Sequence, residues 1–120
     1  VWSPLASGIL IGKYNNGFPK ETRLSIDGLE WLKDKNLTEN RIEKVKALSV
    51  LAGDLGISLP VLGLSWCLSN KNVSTVILGA SKVEQLSENL KALDAQHLLT
   101  PEILLNIDAI LENVPPRADY

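Results

Sequence analysis

Two short extended runs, seventy residues apart, constrain what this chain can fold into more than anything else in it. VWSPLA at residues 1–6 reads as the end of a strand stopped by Pro4, since proline cannot donate to a sheet ladder. VSTVIL at residues 73–78 is a continuous apolar and β-branched run, of the kind that parallel sheets bury on both faces. Strand, long loop, helices, strand, helix is an α/β order. Parallel strands joined by helical crossovers imply a doubly wound sheet or a β/α barrel. Two strands complete neither. The expectation is therefore a chain that begins mid-fold, at Val1 and with no methionine anywhere, and whose helices face a sheet that lies mostly elsewhere.

The helical pattern is clear. Thr38 reads as an N-cap for a helix over residues 38–55, with Ile42, Val45, Leu48, Leu51 and Leu55 at helical spacing and Gly56 as its stop. A second helix over residues 60–69 has Ser58 as a candidate cap and Pro60 in its first turn. Its VLGLSWCL is apolar nearly all round, which predicts burial on most sides. A third, over residues 82–95, carries Val83, Leu86, Leu90 and Leu93 on one stripe. A fourth follows Thr100-Pro101 with Ile103, Ile107, Ile110 and Leu111. Residues 7–36 form a long stretch punctuated by Gly8, Gly12, Gly17, Pro19 and Gly28, with a short helix predicted over 28–35. Loops of that length inside compact domains are usually functional or mobile. The tail VPPRADY reads as extended.

Composition removes several function classes. A chain of 120 residues with 45% apolar and 22% charged residues has a globular balance and enough length for a core. Net charge is −2 with no stripe of Lys or Arg, which argues against duplex nucleic acid. The apolar runs are too short to span a bilayer, so no direct membrane insertion is expected. One cysteine, Cys67, and one histidine, His97, make neither an internal disulfide nor a metal cluster, and point to a reducing, cytoplasmic setting.

Two segments carry candidate chemistry. In STVILGASKVEQLSENL, residues 74–90, a strand runs through Gly79-Ala80-Ser81 into a helix. A helix N-terminus presents unpaired N–H groups and a positive dipole end that suit an anion, and Gly79 lets a ligand approach the backbone. Ser81, Gln85, Glu88 and Asn89 share the face opposite the leucine stripe. The same residues also spell a capping box, Ser81-Lys82-Val83-Glu84, which needs no ligand. In WSPLASGILIGKY, residues 2–14, Trp2 could stack on a planar ring while Ser3, the backbone from Leu5 to Gly8, and Lys13 follow a pyrophosphate. Equally, Trp2 could be core and the glycines could merely turn the chain.

Taken together, WSPLASG-x-x-x-GKY and GAS-x-x-x-Q-x-x-EN, with ISLPVLGLSWCLSNKNVSTVILGAS, KYNNGFPKETR and WLKD, resemble the aldo-keto reductase family over essentially the whole chain. The nearest branch in that resemblance is the one containing the β subunits of voltage-gated potassium channels. The resemblance implies the C-terminal part of a (β/α)8 TIM barrel that binds NADPH at the C-terminal ends of its strands, in a single segment. That segment divides into a strand end with a long cofactor loop (1–36), helices (37–72), the last strand and its helix (73–95), and a C-terminal helix and tail (96–120). It implies that Trp2 stacks on the nicotinamide, and that Ser3, Pro4, Leu5, Ser7, Gly8 and Lys13 line the pyrophosphate path with Arg23 closing over it. Gly79, Ser81 and Gln85 would grip the 2′-phosphate end, and Glu88 and Asn89 would meet the adenine. The family's catalytic Tyr, Lys, Asp and His group lies upstream, so Lys13 and Tyr14 are not that pair. The implied activity is hydride transfer to a small aldehyde or ketone. The alternative is a redox-sensing regulator that docks on a potassium channel α subunit, and a homo-oligomer fits either.

Overall fold

The computed structural model describes residues 1–17, 31 and 37–116. Thr38 does start a helix: its hydroxyl accepts from the Arg41 N–H at 3.3 Å, and α1 runs Glu39–Asp54. The helix buries Val45, Leu48 and Ala52 and ends where Gly56 takes a left-handed φ of 70°. Pro60 sits in the first turn of α2, Leu59–Ser69, as its fixed φ favours.

α2 is the centre of the molecule, and its all-round apolar sequence explains why. Leu59 and Leu62 on one side join Ile9, Tyr14, Val45, Leu48, Ala52, Leu99 and Ile107 in a first buried cluster. Val61 and Leu64 on another side join Ala92 and Ala95 in a second. A helix flanked by two clusters cannot afford a polar face, and Ser65, fully buried, is satisfied by donating to the Ala92 carbonyl at 3.1 Å.

The third predicted helix is two. α3 runs Val83–Leu90, Lys91 makes a turn, and α4 runs Ala92–Ala95 before a 3-10 turn at Gln96–Leu98. Its packing agrees with helices expected to face a sheet outside this chain. Asn89, Ala92 and Ala95 are buried, whereas Val83, Leu86, Leu90 and Leu93 are exposed. Small side chains let this stretch approach α2 closely, and the leucine stripe, which a sheet should cover, has no sheet beside it. Thr100 caps α5, Pro101–Leu111, by accepting from the Ile103 N–H at 3.3 Å. At its other end Glu112 takes a left-handed φ of 51°, and Lys44 donates to the Leu111 carbonyl at 2.6 Å while pairing with the Glu112 carboxylate at 3.1 Å.

The strand expected at residues 73–78 is extended but forms no ladder among the described residues: a single parallel bridge joins Trp2 and Ile77. Two lone extended segments are too few to hold a sheet, and the described part is mostly helical. Trp31, the described residue of the predicted helix at 28–35, is exposed; the rest of that helix lies outside the described residues. No single helix among the described residues is long and apolar enough to cross a membrane.

Burial separates two leucines of equal chemistry. Leu62→Ala is expected to cost about 2–5 kcal/mol through the cavity it leaves. Leu86→Ala, on the open stripe, is expected to cost less than about 0.5 kcal/mol. Urea denaturation of both variants checks this, and equal losses would mean that the stripe is covered in solution.

Candidate functional site

The bridge places the two candidate segments relative to each other. The Ile77 N–H donates to the Val1 carbonyl at 2.9 Å and the Val1 nitrogen donates to the Thr75 carbonyl at 2.7 Å. Because the pairing is parallel, both segments leave at the same end. The chain from Ser3 onward and the corner from Gly79 onward therefore start side by side.

The front loop is a tightly wound, strained backbone. The Ala6 N–H donates to the Ser3 carbonyl and the Gly8 N–H to the Leu5 carbonyl, both at 3.0 Å. Ser3, Ala6 and Ser7 have φ of 53°, 49° and 58°, and Gly8 has 93°. Left-handed non-glycine residues persist only where the surroundings fix them, and they gather at functional sites. Here the anchors are Ile9 and Tyr14, both buried in the first cluster, with Leu5 and Leu10 set against Gly63 of α2. Lys13 folds back over the loop. A Cβ on Gly8 would lie 3.0 Å from its Cε and Nζ, and Nζ stands 5.2 Å from the centre of the Tyr14 ring. A cation is thus already held over the Ser7-Gly8 backbone. Trp2 is 83% exposed and joins neither buried cluster of this chain.

At the corner the capping box is not built. The N-cap of α3 is Lys82, not Ser81, and it makes no side-chain cap bond. Instead Gln85 reaches back, its Oε1 accepting from the Ser81 N–H at 3.0 Å and from the Ser81 hydroxyl at 3.1 Å. The first turn of α3 is left without a side-chain acceptor, and no atom stands within 4 Å of where a Gly79 side chain would begin. An open corner beneath a positive dipole end is what an anion requires.

The remaining candidates divide. Glu88 pairs with Lys91 at 2.5 Å. The Lys91 ammonium, and after it the Ser58 hydroxyl, holds the Glu88 carboxyl below the usual carboxylate range. The resulting stabilisation is present above the unfolded-state value and lost as pH falls through the lowered one. Asn89 is buried on the side facing α2. Arg23 lies outside the described residues. His97 is exposed, with Nδ1 2.6 Å from the Asp94 carbonyl, and Cys67 is half-buried with its thiol pushed up by burial. Sequence reasoning missed Ser58 and Lys91 as neighbours of Glu88. The Glu88-to-Lys91 spacing of three on a helix was the available signal for Lys91. Nothing local marks Ser58, thirty residues away.

Against this geometry, the chain matches the sequence profile of the Aldo/keto reductase family over residues 1–112. It belongs to that family. It is 44% identical over 120 residues to a "Probable voltage-gated potassium channel subunit beta" of Oryza sativa subsp. japonica, covering 99% of this chain and 37% of that protein. It is 42% identical to a protein of the same name from Arabidopsis thaliana, with the same 99% and 37% coverage. The likeness to the channel β-subunit branch therefore runs the whole length of this chain, which spans 37% of the length of those relatives.

Gly8→Ala should destabilise the reductase segment by about 1–2 kcal/mol, because it places a side chain in a left-handed conformation and against Lys13. Urea denaturation measures it; a neutral result would mean that the loop does not hold this backbone in solution.

Proposed function

We propose that this segment is the NADPH-holding C-terminal part of a (β/α)8 barrel aldo-keto reductase, in which residues 1–3 end the seventh strand and residues 75–78 belong to the eighth. The observation that carries the reading is the parallel bridge between Trp2 and Ile77, which starts the front loop and the Gly79 corner from one end of one would-be sheet. In such barrels the loops after strands seven and eight commonly form the phosphate site. The residues present fit a dinucleotide: an exposed indole, a lysine held over a strained backbone turn, and an uncapped helix start beside an open glycine.

When bound, NADPH supplies a hydride for an aldehyde or ketone. This chain's residues bind and orient. Trp2 offers a flat face to the nicotinamide and Lys13 a charge to the pyrophosphate, with Ser3, Pro4, Leu5, Ser7 and Gly8 lining the path between them. The α3 start, with Ser81 tethered by Gln85, receives the 2′-phosphate, and Glu88 and Asn89 stand further along the same helix toward the adenine. The proton donor and its partners belong to the part of the relatives that this chain does not match, in a cytoplasmic parent. The segment alone is inactive in this reading. A second reading, favoured by the names of the relatives, makes the parent a regulatory subunit on a potassium channel α subunit, in which the bound nucleotide reports redox state and turnover is slow.

In the complete reductase, Ser81→Ala with Gln85→Ala is expected to weaken NADPH binding about tenfold or more, as loss of donors to a charged group does. A fluorescence titration reads it, and an unchanged affinity would sink the assignment.

A further inference from the structure

Ser49 stands inside α1, and its hydroxyl donates to the Val45 carbonyl one turn back at 2.9 Å. The helix gains nothing from that bond. The carbonyl it reaches already serves the backbone ladder, and alanine suits a helix interior better than serine. What the bond does is settle polarity. With its single proton committed to Val45, the hydroxyl can only accept from outside the helix. Asn15 meets that need, donating through Nδ2 to Ser49 Oγ at 3.2 Å from thirty-four residues away.

Asn15 is the last residue of a tight turn. Its N–H donates to the Gly12 carbonyl at 3.1 Å, so Lys13 and Tyr14 are the two central residues. Gly12 enters the turn with a left-handed φ of 76°. A side chain there would begin 3.5 Å from Asn15 Nδ2 and 3.7 Å from the Leu59 side chain, so the turn lies close against the scaffold. Tyr14 is buried in the first cluster, while Lys13 folds back over Gly8 with Nζ 5.2 Å from the centre of the Tyr14 ring. A turn held by one buried ring can pivot about it. A second attachment one residue further on, to α1, removes that freedom.

We infer that Asn15 and Ser49 are positioning residues for Lys13: their bond locks the turn that carries it, so that the ammonium is held over the front loop for the pyrophosphate of the dinucleotide. The inference rests on the NADPH reading above and deepens it, since neither residue lines the cofactor path or the Gly79 corner. The physics is that of a lever. Lysine is a point charge on a long stem, and a small rotation of the turn displaces the ammonium much further than the backbone. A site works only when its first contacts are held by supporting bonds of this kind.

The test is an NADPH titration of the complete reductase chain. Ser49→Ala and Asn15→Ala are each expected to weaken binding about threefold to tenfold, the size of one hydrogen bond. The urea midpoint of Ser49→Ala should not fall, because alanine favours the helix. Ser49→Thr keeps a hydroxyl that can reach the same carbonyl and is expected to retain wild-type affinity. Lys13→Gln is expected to weaken binding by itself, and adding Ser49→Ala to it should cost less than about twofold more, since the positioned charge is gone. A general loosening of the loop would instead give the same loss in both backgrounds, and that result overturns the inference. Wild-type affinity in either single alanine variant overturns it too, with the cofactor reading left in place. A wild type that does not bind NADPH overturns the cofactor reading, and this inference with it.

Discussion

Two backbone hydrogen bonds, from the Ile77 N–H to the Val1 carbonyl and from the Val1 nitrogen to the Thr75 carbonyl, set the front loop and the Gly79 corner side by side. Nothing else among the described residues pairs the first segment with the region near residue 77 in the manner of a sheet. A bridge that small contributes little by itself, because isolated two-stranded pairings are marginal in water. Its effect is directional. Parallel pairing aims two chain segments the same way, and the loop and corner that follow inherit that alignment.

The helical scaffold then fixes each segment from behind. α2 takes Ile9, Tyr14 and Leu10 of the front loop against one flank, and the second cluster against another. The positive φ values at Ser3, Ala6 and Ser7 are tolerated because Gly8, Ile9 and Tyr14 beyond them are buried. The leucine stripe at Val83, Leu86, Leu90 and Leu93 carries the opposite message. A contiguous exposed apolar face is an incomplete interface, and the chain spans 37% of the length of the relatives it matches.

Much of this was legible in the sequence, and the failures share a cause. Helix positions from Thr38, Pro60 and Thr100 followed from capping and proline rules, which are local. The surrounded state of α2 followed from the lack of any polar face. Family membership was readable because WSPLASG and GAS-x-x-x-Q-x-x-EN are long, ordered motifs. What misled was every inference that needed a missing neighbour. Residues 73–78 were assigned to a strand that keeps one bridge, and the helix over residues 82–95 to a continuity that breaks at Lys91, whereas the leucine stripe is uncovered as expected. The capping box failed for a different reason: the helix starts one residue later, with Lys82 as its N-cap, and Gln85 takes both Ser81 donors. Ser58 was read as the cap of α2 and stands at that position, but its side chain makes no cap bond.

The central claim is that the front loop and the Gly79 corner act as one grip. Amide hydrogen exchange of the complete reductase chain, with and without saturating NADPH, addresses it most directly. Slowed exchange in residues 3–13 and 79–86 together, at one cofactor concentration, is the predicted result. Bound NADPH that protects only one of the two segments, or neither, would contradict the claim.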